Sequence, residues 1–228
     1  MCGIVAMRSK AGPISEEALR RATEALRHRG PDGEQSWIAA SGSVGLGHTR
    51  LAIIDPEGGA QPIVSEDGRC RIVVNGEFYG FEAIRRELEE RGHRFRTRSD
   101  SEIALHLYED MGTRCVERLR GQFAFVIWDD DEKTLFAARD RFGQKPLFYH
   151  ESNGILYLAS EVKALYAAGV ARGWDTRAVY HVLHACPDEE RSLFADVRQV
   201  PPGHILVSTH GGTRLACYWD VPPPTGER

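Results

Sequence analysis

The apolar segments of this chain come in batches: strand-like runs, a pair of amphipathic helices, strand-like runs again, then further helices. That order argues against the strand-helix-strand alternation of a parallel sheet and for an α+β molecule, with antiparallel sheets packed face to face and helices outside. Gly3–Met7 reads as a buried strand, and Ser15 caps a helix whose apolar positions Ala18, Leu19, Ala22, Ala25 and Leu26 recur up to Gly30-Pro31. Short β-rich pieces follow at Ser36–Ala40, Ser43–His48, Leu51–Asp55 and Arg71–Val74. Two amphipathic helices span Phe81–Glu90 and Ser101–Asp110. Strands return at Phe123–Trp128, Thr134–Ala138, Leu147–His150 and Ile155–Ala159 and read as a second antiparallel sheet, with turns at Asp129-Asp130-Asp131 and Ser152-Asn153-Gly154. Helices near Glu161–Ala168 and Thr176–Leu183 and a strand pair around Gly203–Ser208 and Arg214–Tyr218 complete the pattern.

Composition narrows the function classes. With 29 Lys+Arg against 33 Asp+Glu among 228 residues, the net charge is -4, which argues against a broad basic face for nucleic acid or anionic lipid. No apolar run reaches membrane length and no secretory signal opens the chain, so a cytoplasmic location is expected. The five cysteines are scattered without a C-x-x-C pair, which favours a reducing compartment and thiol chemistry over disulfides.

Cys2 directly follows the initiator methionine. With Met1 removed, Cys2 carries a thiol and an α-amine on one residue. A free α-amine titrates about half a unit below an ordinary thiol, so it can take the thiol proton near neutral pH, directly or through water. One residue then supplies nucleophile and base. The alternative is a buried structural cysteine at a strand edge. Asn75-Gly76-Glu77 follows the apolar strand Ile72-Val73-Val74. An asparagine amide beside a glycine N–H can receive a developing oxyanion, and Asn-Gly is equally the favoured hairpin turn. Arg50 can clamp a carboxylate or form a structural ion pair. Asp100 lies within Ser99-Asp100-Ser101-Glu102, where Ser99 and Glu102 fit a helix capping box; binding a substrate ammonium would be an added role.

Other groups read as structural. The Arg139–Pro146 charge cluster suits an interlocking ion network. His28 and His48 suit ordinary packing or hydrogen bonding. His181, His184 and Cys186 carry zinc-type donor atoms without a fourth ligand nearby, so no metal is expected.

Taken in order, several segments resemble the class II glutamine amidotransferase domain of glutamine-hydrolysing asparagine synthetases. They are Met1-Cys2-Gly3-Ile4, Arg27-His28-Arg29-Gly30-Pro31-Asp32-Gly33, Gly47-His48-Thr49-Arg50-Leu51-Ala52-Ile53-Ile54-Asp55, Asn75-Gly76-Glu77-Phe78-Tyr79, Ser99-Asp100-Ser101-Glu102, Asp140-Arg141-Phe142-Gly143-Gln144-Lys145-Pro146-Leu147 and Ala159-Ser160-Glu161-Val162-Lys163-Ala164-Leu165. The resemblance implies the N-terminal nucleophile hydrolase fold, a four-layer αββα sandwich. It implies that Cys2 attacks the glutamine amide through a thioester, that Asn75 and the Gly76 N–H hold the oxyanion, and that Arg50 binds the α-carboxylate. Glu77 and Asp100 would receive the α-ammonium, with Leu51 and Ile53 giving backbone contacts.

It further implies a glutaminase domain over residues 2–218, a Pro-rich linker or tail over 219–228, and ammonia passed to an ATP-dependent synthetase domain or subunit. That synthetase domain is absent from this chain: Thr209-His210-Gly211-Gly212-Thr213 lacks the serine and aspartate of a pyrophosphate loop. ATP and Mg are expected only there, and no cofactor in this domain. A free-standing subunit serving another carboxylate and a catalytically silent glutamine-binding module are the alternatives, and self-association is left open. Two positions depart from the family pattern. Gly80 stands where many members have asparagine, and Ala185–Arg191 differs from the usual Gly-Tyr-Val-Pro loop.

Overall fold

The computed structural model describes residues 1–186 and 188–221. The Pro222-Pro223-Pro224 tail expected as a linker lies outside them, as does Pro187 of the 185–191 loop.

Twelve strands and five α-helices are found among these residues: β1 (Gly3–Ser9), α1 (Glu16–Glu24), β2 (Gly33–Ile38), β3 (Val44–Arg50), β4 (Ile63–Val64), β5 (Cys70–Phe78), α2 (Phe81–Glu90), α3 (Glu102–Met111), β6 (Gly121–Asp129), β7 (Thr134–Arg139), β8 (Phe148–Ser152), β9 (Ile155–Ala159), α4 (Val162–Ala168), α5 (Thr176–Leu183), β10 (Arg198–Gln199), β11 (His204–Thr209) and β12 (Gly212–Cys217). They form two six-stranded sheets, ordered β10-β8-β9-β1-β3-β2 and β12-β11-β7-β6-β5-β4. Every ladder between neighbouring strands is antiparallel.

The period-two alternation of each strand assigns its side chains to two cores. Ile4 and Ala6 of β1 meet Val73, Ala124, Val126 and Trp128 between the sheets, while Val5 and Met7 pack outward on α1 and α4. Likewise Phe123, Phe125 and Ile127 of β6 pack on the α3 side with Ile72 and Val74 of β5. The result is the expected four-layer αββα sandwich. Because Val73 faces the gap between the sheets, Asn75 and Glu77 share its side of β5. By the same parity Cys2 shares the side of Ile4.

Several expectations need correction. Strands 123–159 do not form one sheet: β6 and β7 lie in the second sheet, whereas β8 and β9 return to the first, where β9 pairs with β1 and β8 lies beyond it. Chain order cannot register such a switch, because each sheet is completed by strands from distant segments. Leu51–Asp55 is no strand. Side chains take up its backbone groups instead: the Asp32 carboxylate accepts the Ala52 N–H at 2.8 Å, and the Arg50 guanidinium holds the carbonyls of Ile54, Asp55 and Pro56. Asn75-Gly76 is no hairpin turn but lies within β5, paired with Ala124 and Phe123. Ser99 and Glu102 do not form a capping box. Glu102 reaches back to the N–H groups of Arg96 and Thr97, each at 2.7 Å, and fastens the loop before α3. Gly80 precedes α2 at φ 66, a left-handed conformation that glycine adopts freely and asparagine tolerates best among the rest.

No helix among the described residues is long and apolar enough to cross a membrane.

Candidate functional site

A cavity of about 330 Å³ opens at one end of the sandwich, between the start of β1 and the exposed edge of β5. All eight residues singled out from the sequence line it: Cys2, Arg50, Leu51, Ile53, Asn75, Gly76, Glu77 and Asp100. Met1, Ile54, Gly59, Gln61, Val74, Ser99, Ser101 and Lys145 complete the wall.

The start of β1 is anchored on both sides. Ser160 accepts the Ile4 N–H through its Oγ and donates its own N–H to the Ile4 carbonyl, each at 3.0 Å. Arg29 donates from Nε to the Cys2 carbonyl at 2.8 Å and from Nη1 to Glu161 at 2.7 Å. Burial works against the Glu161 charge, yet hydrogen bonds from Arg29, Lys163 and His28 hold its pKa down to about 2. A fixed carboxylate thus orients the arginine that fixes Cys2. The thiol itself meets Leu51, whose N–H lies 3.4 Å from Sγ.

The edge of β5 supplies the opposite wall. Its partner β4 pairs only with Ile72 and Arg71, so from Val74 onward the strand has no neighbour on that side. Alternate N–H groups point off this edge. Gln61 Oε1 accepts that of Val74 at 2.6 Å, and Asp100 Oδ2 accepts that of Phe78 at 2.8 Å. Between them lies the Gly76 N–H. Phe123, opposite Gly76, spends both backbone groups on Asp140, which leaves the Gly76 N–H directed into the cavity. A Cβ at Gly76 would meet Phe123 Cα at 2.6 Å, so the close approach of β5 and β6 requires glycine.

Asn75 is 1% exposed, and neither Oδ1 nor Nδ2 has a hydrogen-bond partner. A buried amide left unpaired on both atoms is costly, and such groups mark places where a ligand completes the pairing. Arg50 commits three of its five N–H donors to the carbonyls of its own loop, which leaves two for a ligand. Asp100 is buried. That burial, with nearby Glu77, raises its carboxyl above the ordinary aspartate range against the lowering effect of the Phe78 N–H and Ser99. A cation at this position would therefore be well received.

Sequence reasoning missed Gln61, Ser99, Ser101 and Lys145 as cavity residues. Gln61 supports the oxyanion edge from a loop with no motif signal of its own. His48, expected to serve packing or hydrogen bonding, does both: buried, it donates a ring N–H to the Val74 carbonyl at 3.2 Å, and burial drives its pKa down to about 4, so the ring is neutral. The 139–146 cluster is structural, though not the ion network expected: its charges hold backbone groups, with buried Asp140 accepting the N–H groups of Phe142, Gln144 and Lys145 and Arg139 donating to the carbonyls of Gly143, Lys145 and Val200. His181, His184 and Cys186 form no metal-type cluster among the described residues.

The four-layer sandwich with a thiol at the head of its central strand defines the class, an N-terminal nucleophile hydrolase fold. Within that class, the chain belongs to the glutamine amidotransferase domain family, whose model matches residues 1–219. Among curated proteins it is 35% identical to asparagine synthetase [glutamine-hydrolyzing] 3 of Bacillus subtilis, over 97% of this chain and 37% of that protein. It is also 35% identical to amidase chry2 of Gibberella zeae, over 98% and 35% respectively. The chain thus spans about a third of the length of the curated relatives it matches. Among solved structures, glutamine phosphoribosylpyrophosphate amidotransferase from B. subtilis superposes with a TM-score of 0.72 at 20% identity, covering 96% of this chain and 49% of that one. At that identity the likeness concerns the fold.

Proposed function

We propose that this domain hydrolyses glutamine to glutamate and ammonia, with Cys2 as nucleophile after removal of Met1. The observation that carries this reading is the Asn75 amide, buried and unpaired beside the free Gly76 N–H in the cavity that holds the Cys2 thiol. Met1 also lines that cavity, so its removal both exposes the α-amine and clears space.

The α-amine takes the thiol proton, and the thiolate adds to the side-chain amide carbon of glutamine. Negative charge develops on the amide oxygen, where Asn75 Nδ2 and the Gly76 N–H receive it. The tetrahedral intermediate collapses, the C–N bond breaks, and ammonia leaves with the proton returned by the amine. Water then adds to the γ-glutamyl thioester, and the C–S bond breaks to release glutamate and restore the thiol. At the far end of the substrate, the two remaining Arg50 donors take the α-carboxylate, while Asp100 and Glu77 take the α-ammonium. Such pairing fixes the amide at the thiol and contributes to the rate by orientation.

Ammonia is passed on to an ATP-dependent amidating domain or subunit of the asparagine synthetase type. The named amidase is as similar to this chain as the asparagine synthetase is, so the carboxylate acceptor is left to the partner. Glutamate release from glutamine, measured together with the intact mass, tests the proposal. Release by protein lacking Met1, lost in Cys2→Ala, is expected; equal release by Cys2→Ala would overturn it.

A further inference from the structure

Away from the cavity, a second group of side chains has no part in the proposed chemistry. Glu66 sits between β4 and β5, His93 follows α2, and His106 lies on α3. One donor atom from each of the three lies within 4.8 Å of the other two. Each imidazole has one nitrogen engaged by a carboxylate: His93 Nε2 lies 3.1 Å from Asp110 Oδ1, and His106 Nδ1 lies 2.7 Å from Glu109 Oε2. The remaining nitrogens, His93 Nδ1 and His106 Nε2, are buried and make no hydrogen bond, with Glu109 Oε2 3.6 Å from the former and Glu102 Oε1 3.5 Å from the latter. His106 is fully buried. Glu66 is oriented as well, because its Oε2 accepts the Arg94 N–H at 3.1 Å while Oε1 faces His93 Nδ1 at 3.9 Å.

An imidazole hydrogen-bonded to a carboxylate at one nitrogen and making no hydrogen bond at the other is the arrangement by which histidines ligate metals, with the outer carboxylate fixing tautomer and ring orientation. We propose that Glu66, His93 and His106 bind a divalent transition-metal ion of the zinc class. Two imidazoles and one carboxylate suit zinc, and disfavour magnesium or calcium, which take all-oxygen shells. Three protein ligands leave a fourth position for water. Glu102, Glu109 and Asp110 add negative charge around the site, of which Asp110 is already paired with Arg91. The partly exposed Glu66 side chain marks the entry path. The ion would join three segments at the base of the loop that carries Ser99 and Asp100 to the cavity. This departs from the sequence expectation of no metal.

The test uses the full chain, stripped with a chelator and titrated with Co²⁺ alone as a visible stand-in for Zn²⁺, which should then displace it. One Co²⁺ per chain is expected, with a ligand-field spectrum free of thiolate charge-transfer bands. Glu66→Gln at the exposed ligand, and separately His93→Gln, should lose stoichiometric binding with the circular dichroism of the fold retained. Asp110→Asn should weaken binding by about 10–100-fold. Cys186→Ser should bind as the parent does. No binding above background in the parent would overturn the site and leave His106 as an imidazolium between two carboxylates. Binding that persists in both Glu66→Gln and His93→Gln, or thiolate bands that vanish in Cys186→Ser, would place the ion elsewhere and overturn it equally.

Discussion

Asn75 concentrates the argument at the scale of single residues. Its dipeptide with Gly76 is a turn signal in isolation, and only strand parity decides otherwise: the apolar run Ile72-Val73-Val74 continues through it, so its amide projects to the face that Val73 occupies. Asn75→Ala should lower kcat for glutamine hydrolysis by about 10²–10³-fold, the usual cost of one oxyanion donor, with KM far less affected. Steady-state kinetics would check the split. Asp100 gives a pH prediction. Its carboxyl is raised by burial, so it loses its charge, and its hold on the substrate ammonium, at a pH above the ordinary aspartate range as the solution is acidified. KM for glutamine should rise across that window, and Asp100→Asn should show a high KM without this acid limb. Cys2 was legible from its place directly after Met1, whereas Arg50, Asn75 and Asp100 each had a structural alternative and, with Leu51, Ile53 and Glu77, were singled out by the resemblance to the glutamine amidotransferase domain. Gln61 was not, because its task is to accept a backbone N–H thirteen residues away.

Elements were legible where periodicity alone determines them. α2 runs as its apolar spacing indicates, and α5 lies where a helix was expected, with Asp175 capping it through the Arg177 and Ala178 N–H groups. The 51–55 segment was misread because its apolar residues suggest a strand, whereas Asp32 and Arg50 bind its backbone groups. Ile53, which would be a core residue in a strand, is 75% exposed at the cavity rim. The junction of the two sheets near the site depends on His48 of β3, which meets the Val74 carbonyl of β5. Burial depresses the ring's pKa from 6.5 to about 4, so the unfolded chain binds its proton first and stability falls as pH drops from about 6.5 towards 4. His48→Gln should flatten that part of the stability-against-pH curve, measured by denaturant unfolding at a series of pH values.

At the scale of the molecule, the four layers follow from two alternating core faces per sheet. The assignment of strands to sheets does not, because β1 pairs with residues 36–46 positions away in β3 and 146–154 positions away in β9. Those long-range ladders are what bring the first residues of the chain to the edge of β5. Glutamine hydrolysis by this domain therefore depends on Cys2 acting at that edge. The most direct measurement is the site of covalent capture by a glutamine-mimicking electrophile, located by peptide mass mapping in the presence and absence of glutamine. The expected result is a single adduct on the peptide that begins at Cys2, suppressed by glutamine and nearly absent in Asn75→Ala. Folded protein lacking Met1 that takes no label at Cys2, or takes it elsewhere with glutamine making no difference, would contradict the account.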